Sequence, residues 1–95
     1  MISVTVRAVF QLKQILGAKE TIVQLKENAT IDDLIQHLIE KSGRKFEDAI
    51  KNPDGSIAST ITILLNGRRI DFLEGTKTKL EDGDVVSFIP PVGGG

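Results

Sequence analysis

The sequence predicts an α+β roll, in which one main helix packs across a mixed sheet of four to five strands. Three observations predict it. A period-two alternation of apolar residues opens the chain over residues 2–10. An apolar stripe at helical spacing follows over 31–42, and short apolar segments return at 61–65 and 85–89. A helix that joins two sheet segments in this order packs on one face of the sheet they form. The first and last strands are expected side by side and parallel in the centre.

In the first strand, Ile2, Val4, Val6, Ala8 and Phe10 share one face, and Ser3, Thr5 and Arg7 the other. Residues 11–16 read as about one helical turn, stopped by Gly17. Residues 21–26 form a second strand, the hairpin partner of the first. In the main helix Ile31, Leu34, Ile35, Leu38 and Ile39 fall on one stripe. Thr30 is its N-cap, with Asp33 three residues on as in a capping box. Asp32 and Asp33 sit at the positive end of the helix dipole, and Gly43 stands past its C-terminal end. A weaker amphipathic piece over 44–51 carries Phe46, Ala49 and Ile50, and Asn52-Pro53-Asp54-Gly55 is a turn by composition.

The third strand is 61–65. Asn66-Gly67 then signals a type I′ hairpin, which needs positive φ at both central positions, and Arg68 to Leu73 is expected to return as a short strand. Asp82-Gly83 turns the chain into the last strand, Val85 to Ile89. There Val86 and Phe88 face inward, like Val4 and Val6 of the first strand. Pro90-Pro91 ends the ladder because proline has no N–H to donate. Residues 1–91 are thus expected as a single domain and 92–95 as a flexible glycine tail.

Composition narrows the function. The chain has 95 residues, with 12 Lys and Arg against 13 Asp and Glu, one His and no Cys. Without cysteine there is no disulfide, no thiolate metal site and no catalytic thiol. The near-zero charge argues against nucleic acid, whose binders carry a basic surplus. No basic, apolar and small-residue series marks a signal peptide, and no apolar run reaches the ~20 residues of a membrane span. A cytoplasmic protein that binds neither membrane nor nucleic acid is expected, with no bound cofactor or metal. No phosphate loop or nucleophile elbow occurs. His37 falls on the solvated side of the main helix, away from the apolar stripe. Asp32-Asp33 reads as a cap, Glu81-Asp82-Asp84 as a turn and Arg68-Arg69 as a solvated turn.

The C-terminal residues differ from the rest. Gly93, Gly94 and Gly95 directly follow the stiff Pro90-Pro91 pair and Val92. From Pro90 such a tail reaches about 20 Å when extended, and glycine, lacking Cβ, threads where other residues clash. The expected chemistry is that of the Gly95 carboxylate, ionised at neutral pH. It can attack the α-phosphorus of ATP to form an acyl-adenylate.

The segment from Leu80 through Gly83-Asp84, an apolar strand, Pro90-Pro91-Val92, a small residue (Gly93) and Gly94-Gly95 resembles the small subunit of molybdopterin synthase and related ubiquitin-like, β-grasp sulfur carriers. Val9 to Gly17 is similar to a second family segment. There the family commonly shows Arg-Glu, and Lys13-Gln14 here keeps a cation but loses the planar fork and the carboxylate. Asn66-Gly67, Ile70 and Phe72 to Gly75 fit the longer members.

The resemblance implies a β-grasp roll and a protein that is not catalytic alone. An E1-like adenylating enzyme would use ATP and Mg to activate Gly95. A desulfurase- or rhodanese-type sulfur donor would convert it to a thiocarboxylate. The large subunit of molybdopterin synthase would receive Pro91, Val92, Gly93 and Gly94 in its active site, and sulfur would pass to cyclic pyranopterin monophosphate. The partner interface is expected at Ile89, with Phe88 and Lys13. The alternatives are a ubiquitin-like small archaeal modifier joined through Gly95 to lysines, a sulfur carrier for thiamine or cysteine synthesis, and a plain binding module.

Overall fold

The computed structural model describes residues 1–91. The expected tail, Val92, Gly93, Gly94 and Gly95, lies outside the described residues. The elements are β1 (Ile2–Ala8), α1 (Phe10–Leu16), β2 (Glu20–Leu25), α2 (Ile31–Ser42), α3 (Arg44–Ile50), β3 (Thr62–Leu65), β4 (Arg68–Arg69) and β5 (Val85–Ile89). The strands form one sheet in the order β2-β1-β5-β3-β4. β1 and β5 are parallel, and the other neighbours antiparallel. The first and last strands are therefore adjacent, as expected from the order of elements, with β5 at the centre.

The register explains the layering. Val4 faces Val23 across the β1–β2 ladder, Val6 faces Val86 across β1–β5, and Ile63 faces Phe88 across β3–β5. All of these point to the same side and are buried, together with Leu34, Ile35 and Leu38 of α2 and Phe46 and Ile50 of α3. Phe46 and Phe88, both wholly buried, meet edge to face at 5.7 Å between ring centroids. Among the described residues the buried set contains no polar or charged residue, so no desolvated polar group opposes its burial.

Local chemistry sets the element ends. Thr30 Oγ1 accepts the Asp33 N–H at 3.3 Å while Asp33 Oδ2 accepts the Thr30 N–H at 2.9 Å, a complete capping box. Gly43, at φ 81° and ψ −163°, ends α2 and starts α3 in a conformation that glycine alone adopts readily. Asn66 (φ 52°) and Gly67 (φ 87°) both hold the positive φ that the tight hairpin between β3 and β4 requires.

Two expectations are corrected. The first strand ends at Ala8, not at residue 10. Phe10 takes φ 55° and opens α1, and its side chain is 56% exposed. The apolar residue that the core takes here is Leu12, wholly buried from α1. The return strand expected over Arg68 to Leu73 lasts only two residues. Ile70–Phe72 is a single 3-10 turn, whose three-residue period sets Ile70 and Leu73 toward the core and leaves Phe72 77% exposed. No helix among the described residues is long and apolar enough to cross a membrane.

Candidate functional site: the end of the central strand

β5 is hydrogen-bonded on both sides. At its C-terminal end Phe88 lies opposite Ala8 of β1, and Ile89 opposite Thr62 of β3. Pro90 is buried and Pro91 exposed. Neither proline can donate to a ladder, so the chain parts from its neighbours here and leaves the centre of the sheet at Pro91. The expected threading residues Val92, Gly93 and Gly94, and the expected reactive Gly95, follow beyond the described residues.

The expected interface residues separate by strand alternation. Phe88 points inward and has 0% exposure. It is a core side chain packed on Phe46, and its place in a partner interface is corrected accordingly. Ile89 points the other way. It is half-buried and belongs neither to the core nor to the residues packed against it. Its face of the sheet carries Thr62 and Leu64 of β3 and Val85 and Ser87 of β5, all half-buried. Arg7 of β1 and Arg69 of β4 sit beside Ser87 and Leu64. The result is an apolar strip with two guanidinium groups at its margins, on the face opposite α2. Lys13 is exposed on α1, which starts just after Ala8, the residue paired with Phe88.

Other candidate groups hold structural roles. Asp82 Oδ1 accepts the Ser3 N–H at 2.7 Å. Asp84 Oδ2 accepts the Glu81 N–H at 2.8 Å and its Oδ1 accepts from Asn66 Nδ2 at 3.0 Å. Asn66 Oδ1 in turn accepts the Val85 N–H at 2.9 Å. These bonds lock the 81–84 turn and the Asn66-Gly67 hairpin onto the start of β5, so the acidic residues shape the turn, as their spacing suggests. His37 is half-buried on α2. No group of three or more potential metal ligands forms among the described residues.

The sequence reading missed two neighbours of the exit. Leu64 was discoverable, because the alternation within Ile61-Thr62-Ile63-Leu64-Leu65 sets it on the face of Thr62. Phe10 was hidden, because its position continues the alternation of β1. A bulky side chain at positive φ is a genuine outlier, and this one stands exposed immediately beyond the strand that borders the exit.

The comparisons with known proteins cover nearly the whole chain. The model of the ThiS family matches residues 7–95. Small archaeal modifier protein 3 of Haloferax volcanii is 33% identical over 87 residues, covering 87% of this chain and 88% of the relative. A protein of Archaeoglobus fulgidus provisionally named a sulfur carrier is 38% identical over 69 residues, 73% of this chain and 77% of the relative. Among solved structures, one from Pyrococcus furiosus, provisionally named molybdopterin converting factor subunit 1, has a TM-score of 0.76 at 29% identity, covering 97% of this chain and 100% of that one. The Amycolatopsis orientalis BexX/CysO complex contains a chain with a TM-score of 0.77 at 25% identity, covering 97% of this chain and 99% of that one. The fold shared with these neighbours is the ubiquitin-like β-grasp.

Proposed function

Because the chain belongs to the ThiS family, and its relatives include a protein provisionally named a sulfur carrier and a small archaeal modifier protein, we propose that it carries sulfur as a thiocarboxylate on Gly95. In this reading it serves as the small subunit of a molybdopterin synthase. The observation that carries it is the position of the Pro-Pro-Val-Gly-Gly-Gly segment. It follows the central strand of the sheet, and the family match runs through it to residue 95.

The proposed chemistry needs no catalytic group from the body. A Gly95 carboxylate oxygen attacks the α-phosphorus of ATP, held with Mg on an E1-like enzyme, and pyrophosphate leaves. The terminal sulfur of a persulfide on the donor protein attacks the acyl carbon, and AMP leaves. Reduction of the resulting acyl disulfide by a thiol frees the thiocarboxylate. In a synthase large subunit its sulfur then attacks cyclic pyranopterin monophosphate as a nucleophile, and water hydrolyses the acyl–sulfur bond, leaving the sulfur on the pterin and returning Gly95 to a carboxylate. The body supplies affinity and orientation. Ile89, with Thr62 beside it, Leu64 diagonal to it and Arg7 and Arg69 at the margins, forms the docking strip, and Phe10 and Lys13 flank the exit. All these steps belong to the cytoplasm.

A second reading rests on the 33% identity to small archaeal modifier protein 3. In it the same adenylate is attacked by a lysine amine of a target protein, forming an isopeptide bond. Intact-mass measurement after incubation with ATP, Mg, an E1-like enzyme and a persulfide donor tests the common first half. The expected gain is that of one oxygen exchanged for sulfur. A chain lacking Gly94 and Gly95 that still gains sulfur overturns the assignment. Dithiolene formation with a synthase large subunit favours the first reading, and lysine-linked conjugates in cell extract favour the second.

A further inference from the structure

The sheet has two outer edges of unequal kind. β4 is only two residues long and runs straight into a 3-10 turn, so it offers little to pair with. β2 is six residues long and pairs with β1 in unbroken register from Ile2–Leu25 to Arg7–Glu20. The Ala8 N–H donates to Lys19 O at 3.0 Å, which fixes the hydrogen-bonding parity. Odd-numbered residues of this strand turn their backbone groups toward β1. Glu20, Ile22 and Gln24 turn theirs outward. Exposed edges are usually blunted by proline, a bulge or a central charge. Over residues 20–25 this edge has no proline, glycine or charge past Glu20, and it presents Ile22 at 66% exposure.

Its charges lie at the two ends, and positions equidistant from Val23 carry opposite signs: Lys19 mirrors Glu27 and Glu20 mirrors Lys26. We propose that β2 is the docking edge for a second copy of this chain, paired antiparallel about a two-fold axis through Val23. That register sets Glu20 opposite Lys26 of the second copy, Lys19 opposite Glu27, Val23 opposite Val23 and Ile22 opposite Gln24, each twice where the pair is not on the axis. Glu20, Ile22, Gln24 and Lys26 are the residues whose backbone groups point outward, so the ladder closes without flipping a strand. The two Ile22 side chains become diagonal neighbours on one face. Shifting the axis to Ile22 sets Glu20 against Gln24 and Lys19 against Leu25. Shifting it to Gln24 sets Glu20 against Asn28 and Lys26 against Ile22. Only the Val23 axis joins opposite charges.

Within one chain, Arg7 Nε already holds Glu20 Oε2 at 2.8 Å, and the N-terminal amine lies 3.9 Å from Glu27 Oε1. Each carboxylate keeps a second oxygen, and among the described residues neither Lys19 nor Lys26 meets a carboxylate. The dimer is a single sheet with the two β5 strands antiparallel. The two chain exits then lie at opposite ends, leaving each free to enter its own partner.

Sedimentation equilibrium of the full chain tests this over rising protein concentration at low and high salt. The expected mass climbs from 10.3 kDa toward twice that value, less so at high salt, which screens the exposed pairs. Lys26→Glu places like charges opposite each other twice and weakens association by about tenfold or more. Adding Glu20→Lys to that variant restores opposite charges and recovers most of the loss. Gln24→Pro deletes an outward N–H and abolishes the dimer, while circular dichroism remains that of the parent. If Gln24→Pro does not fold, the charge pair decides. A chain that stays at 10.3 kDa at low salt up to its solubility limit overturns the proposal, leaving the edge to a strand of another protein. So does association that ignores both Gln24→Pro and Lys26→Glu, or a double swap that behaves like Lys26→Glu alone.

Discussion

Replacing Phe88 by alanine separates a core side chain from a contact surface at the position just before the candidate site. Phe88 has no exposed area and packs edge to face on Phe46 with centroids 5.7 Å apart. Truncating a buried phenylalanine costs about 3–5 kcal/mol, through lost transfer free energy and the cavity left behind. A domain of this size holds about 5–15 kcal/mol in all. At roughly 4–8 °C per kcal/mol, the melting temperature should fall by about 12–40 °C. The conservative Phe88→Leu keeps most of the volume and should cost less, about 1.5 kcal/mol. A double-mutant cycle with Phe46→Leu should return a coupling of about 0.5–1.5 kcal/mol from the aromatic pair. The chain has no Trp or Tyr, so urea unfolding followed by far-UV circular dichroism is the appropriate assay. A Phe88→Ala midpoint equal to that of the parent, combined with lost binding to an E1-like enzyme of the proposed kind, would refute the core assignment and restore Phe88 to the interface.

Ile89→Lys should behave in the opposite way, leaving the unfolding midpoint within about 0.5 kcal/mol of the parent. Under the proposed function, binding to an E1-like enzyme should weaken by about tenfold or more in titration calorimetry, as for loss of an interface anchor; unaltered affinity would remove Ile89 from the docking strip. Thr30→Ala breaks one half of the capping box and should cost about 1 kcal/mol in the same urea assay. Asp54 is held below the usual aspartate range by hydrogen bonds from the Ser56 hydroxyl and backbone N–H. A depressed folded-state value favours the ordered turn above the ordinary titration range of aspartate, and that preference fades as pH falls through the lowered value. The Ser56 amide resonance should therefore shift at a lower pH than that of an exposed aspartate peptide, and Ser56→Ala should raise that pH.

How much of this was legible in the sequence follows from which forces are local. The capping box of α2, the Asn66-Gly67 turn and the alternation of β5 each depend on residues within a few positions, and all formed as read. The parallel pairing of β1 with β5 followed from the order of elements in the roll, since β2 and β3 also carry apolar inner faces. Phe10 was misread because alternation reports periodicity, not where a strand stops; the stop depends on Leu12 finding the core from α1. The 68–73 segment was misread because Ile70, Phe72 and Leu73 satisfy both a period of two and a period of three, and only tertiary packing selects Ile70 and Leu73. At the site, Ile89 followed from counting outward from Phe88. Its neighbours Arg7 and Arg69 come from other strands and needed the register, whereas the face of Leu64 follows from alternation alone.

The central placement of β5 has a mechanical consequence. A force drawing on the chain beyond Pro91 acts along β5, which is clamped by β1 on one side and β3 on the other. β1 runs parallel to β5, so tension between the start of β1 and the end of β5 loads their ladder in shear. The bonds must then yield together, whereas an edge strand could peel away one bond at a time. Under the proposed function, a partner that grips the chain beyond Pro91 would load the β1–β5 ladder in shear, so the sheet would resist strand-by-strand unravelling from that end.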